Sequence, residues 1–141
     1  MPSSILHDFP IRASAATVFA AVVSPDTWWT LESDVQAALG STSRLYFGEG
    51  YDWRALVSAC EPGVTFEWTF TDAMPDWMGT RLRFDLTEAD GVTAVHFAHH
   101  GWETASEHFR VSSFCWAMYL RLLRRTVETG EVVPYARRLD A

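Results

Sequence analysis

Positive charge is scarce in this sequence, and several signatures are missing altogether. Eleven basic residues face eighteen acidic ones, giving a net charge of −7. Such a chain repels nucleic acid and anionic lipid, and no Lys/Arg-rich arm offsets it. The one basic cluster, Arg121, Arg124 and Arg125, has helical spacing and reads as the solvated back of a helix. No nucleic-acid partner is expected. There are two cysteines, Cys60 and Cys115, and no C-x-x-C pair. That excludes a paired-cysteine redox or metal site and leaves two buried, reduced thiols behaving as small hydrophobes. No apolar h-region opens the chain, and no run approaches the ~18 apolar residues of a membrane span. The expectation is a cytoplasmic protein with no membrane contact. Repeats, low-complexity tracts and linkers are also missing, so residues 1–141 read as one domain, long enough to bury a real core. No P-loop, nucleophile elbow, dinucleotide fingerprint or H-E-x-x-H motif occurs. No catalytic residue, cofactor or metal is therefore assigned.

What the chain has in excess is aromatic side chains, 14% of residues, including seven Trp and nine Phe. Aromatics either fill a core or line a pocket. Their placement follows the backbone pattern. Ile5, His7, Phe9 and Ile11 alternate as a first strand. Ser14 caps a short helix whose apolar positions, Ala15, Val18, Phe19 and Val22, keep helical spacing. Ser24-Pro25 opens a second short helix carrying Trp28 and Trp29. Residues 32–43 are polar and mixed. From Arg44 the period is two: 44–48, then 51–60 with Trp53, Ala55, Val57 and Ala59. After the Glu61-Pro62-Gly63 turn comes 64–71 with Phe66, Trp68 and Phe70. A loop, 72–79, holds Pro75 and Trp77. The next strand, 80–87, has Leu82, Phe84 and Leu86. Ala89-Asp90-Gly91 then turns tightly into a strand from Thr93 with Val95, Phe97 and His99 on one face. Thr104-Ala105-Ser106-Glu107 has capping-box spacing. It starts a helix ending at Gly130, close to ~40 Å long at ~1.5 Å per residue. Successive hairpins make an antiparallel meander with one buried face. The whole reads as α+β, with helices gathered on one side of a bent sheet.

Several of these segments resemble the Bet v 1-like (START/SRPBCC) superfamily and, within it, the AHSA1-like family of Hsp90-ATPase-activator homologues. The matching residues are Ala15-Ala16-Thr17-Val18-Phe19, then Ser24-Pro25 leading to Trp28-Trp29, then Phe66-Glu67-Trp68. Further on come Gly79-Thr80-Arg81-Leu82-Arg83-Phe84-Asp85-Leu86 and the stretch from Gly91 to Trp102. Trp116-Ala117-Met118-Tyr119-Leu120, Glu128-Thr129-Gly130 and Pro134 complete the match. The resemblance implies a helix-grip fold: a curved antiparallel sheet wrapped around the C-terminal helix, two short helices after the first strand, and an apolar cavity between sheet and helix. That superfamily includes lipid and hormone carriers, aromatic polyketide cyclases and co-chaperone modules, so fold does not decide function. The co-chaperone proper carries a further N-terminal partner-binding domain, for which these residues leave no room.

His96, His99, His100 and His108, with Glu103 and Glu107, are the one group with metal-type side chains. On a strand, His96 and His100 share a face and His99 takes the other, so three ligands would need a sharp bend near Gly101. His99 shares parity with Val95 and Phe97, which makes it a satisfied core histidine or a polar contact for a ligand. Along the last helix, Phe109, Ser113, Trp116, Leu120, Leu123 and Val127 form the sheet-facing stripe. Trp77 and Trp102 are expected to clamp loops. Glu67, Arg83 and Asp85 are expected to face solvent. The expected ligand-binding set is Trp68, Phe84, Phe97, His99, Ser113 and Trp116, with Trp28 and Trp29 at the rim. The function these residues point to is binding of a small hydrophobic or aromatic molecule by a monomer or homodimer. The alternatives are a cyclase or hydrolase using the same cavity, and a co-chaperone-like interaction module.

Overall fold

The computed structural model describes residues 2–140. Strand β1 (Ser3–Ile11) leads to helix α1 (Ala15–Val22) and a 3₁₀ turn at Pro25–Thr27. Strands β2 (Glu32–Asp34), β3 (Thr42–Tyr46), β4 (Asp52–Glu61) and β5 (Thr65–Asp72) follow. A second 3₁₀ turn (Pro75–Trp77) precedes β6 (Arg81–Ala89), β7 (Val92–Trp102) and the long helix α2 (Glu107–Thr129). The last element is a 3₁₀ segment, Tyr135–Asp140. The strands make one antiparallel seven-stranded sheet in the order β1-β7-β6-β5-β4-β3-β2. It is an α+β helix-grip fold, the sheet curving around α2. Among the described residues no helix is long and apolar enough to cross a membrane.

Period-2 alternation decides which side chains enter. Phe66, Phe84 and Phe97 are direct cross-strand partners, as are Trp68, Leu82 and His99, and all six are buried. These rows set rings edge to face: Phe66 and Trp68 stand 4.7 Å apart at 89°, Phe84 and Phe97 5.3 Å apart at 71°. Each fully buried ring of this kind stabilises the fold by ~1.5–3 kcal/mol. The β6–β7 hairpin turns on Asp90 (φ 54°) and Gly91 (φ 76°), the two successive left-handed residues of a type I′ turn. Leu120 and Leu123 of α2 complete the core at 2% and 0% exposure.

The caps hold with two differences. Ser14 caps α1, accepting from the Thr17 N–H at 3.2 Å, and Gly130 ends α2 in the left-handed conformation. The N-cap of α2, however, is Ser106 rather than Thr104 within the expected Thr104–Glu107 cap; its hydroxyl accepts from the Phe109 N–H at 3.2 Å, and the helix runs Glu107–Thr129. The second short helix is a single 3₁₀ turn. The Pro25 carbonyl accepts from the amides of Trp28, Trp29 and Thr30, so three donors converge on one acceptor and no helical ladder propagates. The polar stretch 32–43 hides the short strand β2, paired antiparallel with β3. Glu67 is not solvent-facing: it is 6% exposed on the outer side of β5, accepting from the Ser58 hydroxyl at 2.8 Å and from Arg83 at 3.4 Å. Strand parity put it on the outer face correctly; neighbouring side chains on β4 and β6 then cover it. Both cysteines are free.

Candidate functional site

Where α2 leaves the sheet, its N-terminal half stands over a cleft of about 190 Å³. Four indoles form most of its wall: Trp29, from the segment after the first 3₁₀ turn, Trp53 from β4, Trp77 from the second 3₁₀ turn, and Trp116 from α2. Phe47 adds a fifth ring. Its centroid lies 5.3 Å from Trp29 and 4.8 Å from Trp53, and the Trp29 and Trp116 rings are 4.8 Å apart. The helix supplies the remaining face through His108, Val111, Ser112, Cys115 and Tyr119. An apolar cavity of about 150 Å³ accepts benzene, whereas drug-sized ligands need about 300 Å³ or more. The cleft is thus sized for one or two fused rings, and its wall offers offset and edge-on stacking.

The polar core behind this wall is closed on itself. The Trp116 indole N–H donates to His99 Nδ1 at 3.1 Å, so the imidazole proton sits on Nε2, 2.9 Å from the Thr80 hydroxyl. Thr80 in turn donates to the Trp77 carbonyl at 2.6 Å. Each hydrogen has one acceptor, and the chain ties Trp116 on the helix to Trp77 on the loop through a neutral imidazole. Burial, reinforced by His100 and His108, holds the His99 pKa down to about 3. His99 therefore acts on the cleft indirectly, by fixing two of its indoles.

Of the eight residues expected at the site, Trp29 and Trp116 line the cleft. Trp68, Phe84, Phe97 and His99 lie in the core beyond them, each 1% exposed or less. The Trp68 N–H is satisfied by the Ser43 hydroxyl at 3.0 Å, and that of Trp28 by the Ala21 carbonyl at 2.9 Å, where it closes the C-terminal end of α1. Ser113 is half-buried outside the lining, and Ser112 takes its place. The reason is geometric: Trp116, Leu120 and Leu123 are the buried line of the helix, the cleft opens on the flank that carries Ser112, and Ser113 lies on the other flank. The cleft-side flank carries a second series, His108, Ser112, Cys115 and Tyr119, with the same four-three-four spacing. A polar series beside an apolar one was the signal for it. Trp77 belongs to the wall and is 7% exposed, so its role exceeds the expected loop clamp. Trp53 and Phe47 were the other aromatics missed; Trp53 shares the alternation of Ala55 and Val57.

The four histidines with metal-type side chains are dispersed. His96 Nδ1 pairs with Asp8 at 3.0 Å, His100 with the Ser4 hydroxyl at 2.8 Å, and His108 Nδ1 with Asp76 at 3.0 Å. Among the described residues no group of three His, Cys, Asp or Glu side chains comes together. Covalent chemistry has few handles. All eleven basic residues are arginines, so no lysine is available for a Schiff base. Burial raises the Cys115 thiol above its usual range and pushes Tyr119 up to about 12, which keeps both protonated.

The C-terminal segment braces the cleft. Arg138, 3% exposed, donates to the carbonyls of Asp26, Thr30 and Val133 at 2.8, 2.9 and 2.9 Å. The Tyr135 hydroxyl donates to the Phe47 carbonyl at 3.2 Å. The segments bearing Trp29 and Phe47 are thereby tied to the end of the chain.

The sequence matches the profile of the "Activator of Hsp90 ATPase homolog 1-like protein" (AHSA1) family over residues 12–128. The chain belongs to the AHSA1-like family. Among solved structures, the Aha1 dimer from Colwellia psychrerythraea is 28% identical, with a TM-score of 0.82 over 92% of this chain and 98% of that one. CalU16 from Micromonospora echinospora is 18% identical, with a TM-score of 0.71 over 99% and 83%. DynU16, a protein in the dynemicin biosynthetic locus, is 20% identical, with a TM-score of 0.76 over 92% of this chain and 48% of that one. The last two share the fold with this AHSA1-like chain. No curated protein matches the sequence.

Proposed function

We propose that this AHSA1-like domain binds a small aromatic molecule, without covalent chemistry, in the cleft between the sheet and α2. The observation that carries this reading is a cleft of about 190 Å³ left open among four indoles and a phenylalanine, beside an interior otherwise filled by side chains. Aromatic surface held open is costly unless something covers it. The rings are also held rigidly, by the His99 chain on one side and the Arg138 brace on the other, so little ordering remains to be done on binding. Titration with an uncharged aromatic dye of naphthalene size should quench tryptophan emission saturably. Trp116→Ala and Trp77→Ala should both weaken binding, and Ser112→Phe, which fills the cleft, should abolish it. Binding that is indifferent to Ser112→Phe would place the dye elsewhere and end this reading.

A second reading, a protein-interaction surface, has its own observation. The outer side of α2 exposes Phe114 (71%) beside Leu139 (68%), and Arg121 and Arg125 flank the groove between them. Since the relative at 28% identity is described as a dimer, the partner we favour for this face is a second copy of the chain. Light scattering after size exclusion should then give a dimer mass, and Phe114→Glu should reduce it to the monomer. A wild-type monomer at high concentration would rule that out.

A further inference from the structure

We infer that the cleft selects aromatic molecules bearing a hydroxyl group, and that the Asp76–His108 pair at its rim reads that hydroxyl. This rests on the aromatic-binding reading above and adds the polar half of the ligand. Asp76 lies in the 3₁₀ turn before β6, and His108 in the first turn of α2. Their Oδ2 and Nδ1 atoms are 3.0 Å apart. An ionised carboxylate can only accept, so the proton of the neutral imidazole must sit on Nδ1, leaving Nε2 as a bare acceptor. The ring is held edge-on against Trp102, with centroids 5.6 Å apart at 86°, and it lines the cleft. A ring fixed at one nitrogen by a carboxylate and packed on an indole presents one lone pair in one direction.

The complement of that lone pair is a donor. An aromatic carboxylate would set acceptor against acceptor beside Asp76, in a chain of net charge −7. An aryl ether offers no hydrogen. A phenolic hydroxyl donates to Nε2 and keeps its oxygen as an acceptor. On the wall residue Trp77 the indole N–H is buried without a hydrogen-bond partner among the described residues. A second His–Asp pair, His96–Asp8, has the same 3.0 Å separation but lies exposed across β7 and β1 on the outer side of the sheet, and it serves as an internal control.

Calorimetric titration of the full chain at about pH 7.5 tests the proposal with 2-naphthol, 2-methoxynaphthalene and 2-naphthoate. The expected result is that 2-naphthol binds about fivefold to tenfold more tightly than 2-methoxynaphthalene, the worth of one net hydrogen bond, with 2-naphthoate the weakest. His108→Phe should reduce the naphthol preference to within about twofold, whereas His96→Phe should leave it intact. Asp76→Asn, at an exposed side chain, lets an amide N–H donate to Nδ1 and moves the imidazole proton to Nε2. It should shrink the preference for naphthol and strengthen the ether. Equal affinities of the three probes for the unmodified chain, or a naphthol preference undiminished in His108→Phe and Asp76→Asn, would overturn the inference and leave aromatic binding standing. No saturable heat with any probe would overturn both.

Discussion

The closed chain from Trp116 through His99 to Thr80 makes stability depend on pH in a calculable way. In the unfolded chain an exposed histidine titrates near its ordinary value of 6.5, whereas burial holds folded His99 down to about 3. Below pH 6.5 the unfolded state therefore takes up a proton that the folded state refuses, and stability falls as pH falls toward 3. Above 6.5 neither state is protonated and this group contributes no slope. Each pH unit within the window costs about 1.4 kcal/mol, so a move from about pH 7.5 to pH 5 should remove about 2 kcal/mol through His99 alone. Other carboxylates and histidines titrate too, and His99→Gln isolates the term. Its amide can still accept from Trp116 and donate to Thr80, and it has no proton to gain. Urea unfolding of both proteins at the two pH values gives the comparison. The unmodified chain should lose about 2 kcal/mol more than His99→Gln does. Losses equal to within about half a kcal/mol would mean that His99 is solvated or charged in the folded state, and the closed chain would have to be abandoned.

Three further outcomes follow from the same contacts. Leu120→Ala, at a site 2% exposed on the sheet-facing stripe, should cost ~2–5 kcal/mol in denaturant unfolding; a loss under half a kcal/mol would place that stripe in solvent. Arg138→Met should cost about 2–4 kcal/mol by leaving the carbonyls of Asp26, Thr30 and Val133 without their donor, and should also weaken dye binding through Trp29; unchanged dye affinity would separate the brace from the cleft. Protein dialysed without chelator should carry less than about a tenth of an equivalent of zinc by elemental analysis, because a zinc site needs at least three ligands of its own; one equivalent would move the histidines back to the centre of the question.

Much of the fold could be read from local chemistry. Alternation placed Phe66, Phe84 and Phe97 on one face, the Ala89-Asp90-Gly91 turn is where it was expected, and α2 ends on its glycine. The strand β2 escaped because three polar residues at an edge bury too little to leave a pattern. The site was less legible. Parity says which face of the sheet a side chain takes and nothing about whether space is left there, so Trp68, Phe84 and Phe97 were assigned to a ligand, whereas Trp68 packs on Phe66 and Trp29, and Phe84 on Phe97. On the helix, Trp116, Leu120 and Leu123 mark the buried line, and the cleft opens on its flank, at Ser112. Trp53 and Trp77 come from opposite sides of the sheet sequence, on β4 and the turn before β6, and only closure of the fold brings their rings to 5.0 Å.

All seven tryptophans belong to one connected set. Trp28 adjoins Trp29 at 6.0 Å, and Trp29 adjoins Trp68, Trp77 and Trp116 at 6.2, 6.3 and 4.8 Å. Trp77 adjoins Trp53 and Trp102 at 5.0 and 6.0 Å. Indoles this close exchange excitation energy faster than they emit, so the set behaves optically as a single antenna whose light leaves from its lowest-energy member. A quencher resting on any one ring drains the others. The depth of quenching then measures how the antenna is wired, while the concentration at half-effect measures affinity. Removing Trp29 or Trp77, the two hubs, should split the emission into separate components even before any ligand is added.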